Sequence, residues 1–451
     1  MENELFENTP VPKAYLKLAL PVVLSSVLTL VYNLVDTYFI GQTGNADLVA
    51  GVSLCAPVFT LLIAMGDMFG LGGSSVISRL LGAGRKDDAR RLSVFCLDGC
   101  FIFGILIAVI LLVFRNPILH LSGTTEDTFM HAKGYYLWIA AGAPFVILGL
   151  APSNLLRTEG HANAAMIGSV LGSIINIILD PVFIFTLNKG AAGAAIATII
   201  GNIGADIFYV MYIRRHASVL SFRVKDFRIS AHELKEIFSI GIPSSITNLV
   251  QSIGVVLMNN ALLPYGNQSI AAYGIVAKVT MIVIMVLVGF AFGGQPLYGY
   301  LYGAQKKTRL KEAIRFAFVL ELSLACALSL ILYVNAGHAV ALFIDNQAIV
   351  GAGTPMLRAL LAGMPFMSVV LIITCLFQST GKAWQALVLS ASRQGIVFAL
   401  MLVILGRLLG YDGILHAQPA SDILTALLAV FLVRKSLLEE LKETENIIAA
   451  A

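Results

Sequence analysis

Asp36, Asn176, Asp180 and Thr198 are the residues of this sequence best suited to chemistry, because each sets a polar oxygen within an apolar stretch. An ionisable group in hydrocarbon is costly, so it marks a functional site by default. Asp36 stands in Tyr-Asn-Leu-Val-Asp-Thr-Tyr-Phe-Ile-Gly, well beyond Pro21, whose missing N–H gives the segment a place to bend. Asn176 and Asp180 are four residues apart and share one helix face, with Pro181 freeing a carbonyl beside them. Thr198 closes the small-residue run Gly-Ala-Ala-Gly-Ala-Ala-Ile-Ala-Thr, which permits close helix approach. Two carboxylates, an amide and a hydroxyl suit sodium or a shared proton, and not a transition metal. The other reading of these four residues is hydrogen-bonded glue between helices, and spacing alone leaves it open.

Further ionisable residues fall in apolar stretches. Asp67 lies in Ala-Met-Gly-Asp-Met-Phe-Gly, Glu321 farther on, and Asp98, Asp206 and Asp422 nearer segment ends. Lys278 and Arg393 are cations of the second half that either repel or replace a bound cation, or simply pair and snorkel. Met65, Met68, Met258, Met281 and Met285, with Phe69, Phe290 and Phe292, offer thioethers and rings suited to a loosely specified apolar cation, or to ordinary packing.

The elements that must position these groups are helices in a membrane. The chain has 451 residues, 58% hydrophobic and only 12% charged, against about 25% charged in soluble proteins. Twelve apolar runs lie near 16–40, 50–78, 93–114, 134–156, 164–187, 191–213, 236–263, 270–302, 313–334, 355–378, 384–408 and 413–433. Each is long enough to cross about 30 Å of hydrocarbon, and barrel-strand alternation is missing. The second and eighth are long enough to tilt or extend beyond the bilayer.

The sequence repeats itself. Phe69, Gly72, Gly73, Gly82 and Ala83 recur 221 positions later as Phe290, Gly293, Gly294, Gly303 and Ala304. Ala-Gly-x-Pro-Phe at 141–145 returns at 362–366, Gly160 matches Gly381, and Pro21 matches Pro243 at an offset of 222. Two homologous apolar halves with a path between them are the plan of a secondary transporter. Opposite Asp36, Asn176 and Asp180 stand Met258, Val397 and Met401, which confines the ion chemistry to the first half.

Lys and Arg gather in the even-to-odd loops, which places both termini in the cytoplasm. The expected units are an N-terminal six-helix lobe (1–213), a basic cytoplasmic linker (214–235) that lets the halves move separately, a C-terminal six-helix lobe (236–434) and a tail (435–451). The polar, acidic lead and long first span argue against a cleavable signal. A net charge of +4 spread over loops calls for no nucleic acid. The absence of a phosphate-binding Gly-x-x-x-x-Gly-Lys-Ser/Thr leaves an ion gradient as the energy source. Cys55, Cys96, Cys100, Cys326 and Cys375 lack metal-ligand spacing, and no enzyme or cofactor motif stands out.

The chain resembles the multidrug and toxic compound extrusion (MATE) family, in its DinF-like and MepA-like branch, over essentially its whole length. The resemblance rests on Leu-Ala-Leu-Pro at 18–21, Val-Asp-Thr-Tyr-Phe-Ile-Gly at 35–41, Leu-Gly-Ala-Gly at 81–84, Arg-Thr-Glu-Gly at 157–160 and Asn-Ile-Ile-Leu-Asp-Pro-Val-Phe-Ile-Phe at 176–185. It continues in Gly-Ile-Pro at 241–243, Gln-Ser-Thr-Gly at 378–381 and Ala-Gln-Pro-Ala-Ser-Asp at 417–422. It implies a V-shaped pair of six-helix bundles and cation-coupled antiport. It further implies a proton or sodium (Na+) site at Asp36, Asn176, Asp180, Thr198 and the Ala194 carbonyl, with bending of the first helix at Pro21. The expectation is an all-α inner-membrane antiporter, monomeric among membrane lipids, that exports small amphipathic cations. A lipid or lipid-precursor flippase of related fold is the alternative, and an ion channel or scaffold a more distant one.

Overall fold

The computed structural model describes residues 2–223, 227, 229–344 and 346–438. Among them there are helices and connecting turns but no strands. A short helix, Glu2–Glu7, precedes the first long one. We label the long helices α1 (Val11–Gly41), α2 (Ala46–Gly82), α3 (Lys86–Val113), α4 (Glu126–Ala141 with Ala143–Thr158), α5 (Ala162–Thr186) and α6 (Gly190–His216). The second half supplies α7 (Ala231–Leu262), α8 (Asn267–Gly303), α9 (Lys307–Val334), α10 (Gln347–Ser379), α11 (Ala383–Leu409) and α12 (Tyr411–Ser436). Every long apolar run of the sequence is thus a helix, because only internal pairing satisfies backbone groups in lipid. The chain is a multi-pass membrane protein.

Local sequence sets several boundaries. Thr125 with Thr128, and Ser230 with Glu233, form reciprocal caps that start α4 and α7. Asn346 accepts from Ala348 N and Ile349 N to start α10. The repeat mates Gly160 and Gly381 follow the ends of α4 and α10 with φ of +84° and +81°, a left-handed turn that a Cβ would strain. As expected, α2 and α8 are the longest helices, at 37 residues each.

The run near 134–156 reads as one span, but α4 bends by 52° between Ala141 and Ala143. Pro144 supplies no N–H there, so the ladder parts beside Gly142. The matching Pro365 in α10 leaves that helix continuous, so tertiary packing decides the outcome of one shared motif.

Helices α1–α6 and α7–α12 each enclose an apolar core, and all five cysteines are free. The lobes meet where α8 crosses α1 and α2, and where α7 crosses α2. A third cluster seals that contact with Tyr15, Leu18 and Ala19 of α1 against Phe290, Leu297 and Tyr298 of α8. Helix Glu2–Glu7 is fastened to the same region. Phe6 stacks on Tyr300 at 4.7 Å, the Tyr300 hydroxyl donates to Glu7 Oε1 at 2.7 Å, and Arg309 donates to the Phe6 and Thr9 carbonyls.

The linker is not wholly a free tether. Val219 and Leu220 are buried, and both their N–H groups donate to Glu159 Oε1 at 2.7 Å. Ser221 N donates to Ser93 Oγ and Arg90 to the Ser218 carbonyl, so this stretch adheres to the first lobe. Val224, Lys225, Asp226 and Arg228 of the linker, and residues 439–451 of the tail, lie outside the described residues.

Candidate functional site

Packing of α5 against both α1 and α6 brings the first group of residues together. On α5, Asn176 Nδ2 donates to Asp180 Oδ1 at 3.4 Å and to Thr198 Oγ1 of α6 at 3.3 Å. Thr198 Oγ1 donates in turn to the Ala194 carbonyl at 3.0 Å, and Asn202 donates to the Thr198 carbonyl. From α1, the Asp36 carboxyl reaches that of Asp180 within hydrogen-bonding distance. Asp36, Asn176, Asp180, Thr198 and the Ala194 carbonyl therefore form one constellation built from three helices.

Its oxygens are of the hard kind that suits a cation or a shared proton. Two carboxyl groups hydrogen-bond only with a proton between them, and a cation can take that place. Asp36 Oδ1, Asn176 Oδ1 and Asp180 Oδ2 are buried yet accept no hydrogen bond, which leaves three oxygens for an incoming ion. No cluster of three or more His, Cys, Asp or Glu suited to a metal occurs among the described residues; the oxygens here are two carboxylates and neutral groups. Tyr32 is a member that residue typing missed. It hydrogen-bonds Thr198 and feels both acids, and its position one turn before Asp36 was the available signal. Pro21 is buried low on α1, where Ser25 Oγ donates to its carbonyl at 2.9 Å.

A second feature lies between the lobes, a cavity of about 370 Å³. Asp67, Met285, Phe292 and Arg393 line it. Met65 and Met68 pack instead at the edge of the first-lobe core, and Met258 is buried in the second. Met281 is half-buried, Lys278 is exposed on α8, and Phe290 belongs to the lobe contact, where its carbonyl accepts from Tyr15; none of these lines the cavity. Glu321 is buried beside the same tyrosine, whose hydroxyl lies 3.1 Å from its Oε1. Asp206 is buried under Gly149, and Asp98 sits in the widened turn Phe95–Gly99.

The cavity wall obeys the repeat. Asp67 and Val288, Leu71 and Phe292, Ser153 and Thr374, Asn154 and Cys375, and Arg157 and Gln378 all line it, and each pair is separated by 221 residues. The first lobe contributes charge where the second is neutral: Arg157 interacts with Asp67 and donates to Asn154 Oδ1 at 2.6 Å. Its mate Gln378 accepts from Gln295 and donates to Ser244, each at 3.0 Å. Arg157 and Gln378 were visible as motif residues but not as cavity residues; their shared repeat position was the signal.

The halves that line the cavity in register also match a known family in register. The MatE family model matches twice, at residues 21–182 and 243–403, the offset of the repeat. The chain belongs to the MatE family. Among curated MATE relatives, the multidrug export protein MepA of Staphylococcus haemolyticus (strain JCSC1435) is 32% identical over 429 residues, covering 95% of this chain and 94% of that protein. MepA of Staphylococcus aureus (strain N315) is 31% identical over the same length. A MATE crystal structure in complex with MaL6 superposes with a TM-score of 0.93 at 26% identity, covering 98% of this chain and 99% of that one. A MOP-superfamily transporter from Pyrococcus furiosus Vc1, described as having a binding pocket of reverse polarity, gives 0.91 at 26% identity, covering 98% of each chain. The fold is thus the two-lobed, V-shaped MATE architecture of twelve helices.

Proposed function

We propose that this MATE protein is a cation-coupled multidrug exporter, importing protons or sodium through the Asp36 constellation while it expels amphipathic compounds through the central cavity. The observation that carries this reading is the Asp36–Asp180 contact, which ties α1 of the lobe interface to α5. Loading an ion there changes what α1 can pack against, and α1 also lines the cavity through Val22 and Ser26. Pro21, one residue before that wall, is the natural hinge. The names of the MepA relatives support drug export.

The proposed setting is the cytoplasmic membrane with both termini inside, the protein acting as a monomer of two lobes, 1–213 and 236–434, joined by the 214–235 linker. One charge crossing 100 mV supplies about 2.3 kcal/mol. A cationic substrate cancels that electrical part at one-to-one exchange, so a pH or sodium gradient, or more ions per cycle, must then drive exchange.

Ethidium efflux from proteoliposomes, under a pH gradient and a sodium gradient applied separately, tests this. Wild type should export under one of them and name the ion, and Asp36→Asn should not. Undiminished export by Asp36→Asn would remove the constellation from coupling.

A second reading is a lipid or lipid-precursor flippase. Arg157 and Arg393 in the cavity favour it, since a flippase must hold an anionic headgroup. Gradient-independent scrambling of fluorescent phospholipid would select it.

A further inference from the structure

Arg393 is built into the cavity wall in a way that ordinary charge pairing does not require. It stands in a widened turn of α11, Ser392–Ile396, a distortion that costs regular hydrogen bonding and often accompanies function. Its Nε donates to Asp422 Oδ1 of α12 at 2.9 Å, and Ser421 Oγ of α12 donates to its carbonyl at 2.8 Å. Gln418 Nε2 donates to the same carboxylate oxygen at 3.2 Å. A Cβ at Gly363, the glycine of the second Ala-Gly-x-Pro-Phe motif, would lie 2.9 Å from Asp422 Oδ2, so that glycine makes room for the carboxylate.

The result is an oriented fork. The Arg393 side chain is 13% exposed and that of Asp422 4%. Nε is occupied by Asp422, while neither Nη group donates a hydrogen bond to the described residues and the side chain lines the cavity. Two N–H-bearing nitrogens fixed side by side are matched to the two oxygens of a carboxylate or phosphate. The repeat sharpens the contrast: α11 is the counterpart of α5, which carries Asn176 and Asp180 of the constellation. One lobe presents the acid Asp180 on that helix and the other presents a guanidinium.

We propose that Arg393 is an oxyanion-recognising subsite of the central cavity, selecting amphiphiles that carry a carboxylate or phosphate besides any cationic centre. This rests on the export reading and adds to it a substrate class: zwitterionic amphiphiles, whose apolar body lies against Met285 and Phe292 and whose cationic end is accommodated by Asp67 of the other lobe. Asp422 is then a positioning residue, holding the fork and balancing its charge.

Rhodamine B, which has a free benzoic acid, and its ethyl ester, a cation with the same ring system, differ in the one group at issue. Equilibrium dialysis of the full-length protein should show rhodamine B bound roughly tenfold more tightly than the ester, the size of a charged hydrogen-bond pair. Arg393→Gln alone strands a buried carboxylate, so the informative variant is Arg393→Gln with Asp422→Asn, which keeps a neutral pair. It should bind both dyes alike, at the wild-type affinity for the ester. Equal or reversed preference in wild type, no binding of either dye, or a preference that survives in the double variant overturns the subsite. Competition by short-chain phosphatidylglycerol, lost in the double variant, would identify the oxyanion as a lipid phosphate; competition by benzoate amphiphiles alone would identify a free solute. Transport separates the two ideas. Binding with no gradient-driven efflux sinks the export reading and leaves the subsite, whereas equal binding and equal efflux of both dyes sinks the subsite and leaves export.

Discussion

Gly82 and Gly303, 221 residues apart in the chain, meet across the lobe interface in a reciprocal contact. A Cβ on Gly82 would fall onto the Tyr300 carbonyl oxygen, and one on Gly303 onto the Arg79 carbonyl oxygen. Both obstacles are backbone atoms, so neither can swing aside. Gly82→Ala and Gly303→Ala should each destabilise this contact by about 1–3 kcal/mol, as overpacking does. Thermal unfolding of the purified variants checks it; melting curves matching wild type would show that the crossing of α2 and α8 yields without cost.

The ion constellation makes a graded prediction. Asp36→Asn and Asp180→Asn should each abolish gradient-driven efflux, because the pair can no longer load and release an ion. Tyr32→Phe removes only a neutral hydrogen bond, about 0.5–1.5 kcal/mol, and should weaken coupling ion affinity by no more than roughly tenfold. The concentration of ion giving half-maximal efflux is the readout. A Tyr32→Phe defect as complete as Asp36→Asn would make the hydroxyl part of the ion path.

Glu7 fastens the N-terminal helix to α8 and gives that fastening a pH dependence. Its pKa is held below the ordinary glutamate value, first by the Tyr300 hydroxyl, against burial as the next largest effect, and then by Lys306 and Arg309. A depressed native pKa means the contribution is present above the unfolded value and is lost as pH falls through the native one. Protease sensitivity of residues 2–9 should therefore rise only below about pH 4.5, the model-peptide region. Glu7→Gln should show at neutral pH what wild type shows in acid. Equal protection of both proteins at every pH would place the fastening in the Phe6 stack and the Arg309 bonds to the Phe6 and Thr9 carbonyls.

The Arg393–Asp422 pair should behave as a buried unit. Removing one partner leaves the other charge uncompensated, at about 3–5 kcal/mol. Arg393→Gln and Asp422→Asn singly should thus lower stability more than the two combined. Additive losses in a double-mutant cycle would mean the pair is solvated enough to be indifferent.

Hydropathy and repetition are properties of short windows and fixed offsets, so the sequence by itself determined the twelve helices, the two lobes and the great length of α2 and α8. It also marked Asp36, Asn176 and Asp180, because an acid or amide in an apolar run is conspicuous wherever the helix goes. What it could not determine was which helix faces touch. Met258 and Phe292 look alike as apolar residues within a span, yet one is sealed in a lobe core and the other borders the cavity. Pro144 and Pro365 share a motif, yet only α4 breaks. Arg157 reads as a loop-side cation until α4 turns it inward beside Asp67. Asp422 and Arg393 are 29 positions apart, and no helical period relates them. These outcomes depend on helix rotation and crossing, which are set by the close approach of small residues such as Gly363, Gly82 and Gly303 over distances that no local pattern spans. The tertiary structure alone decided them.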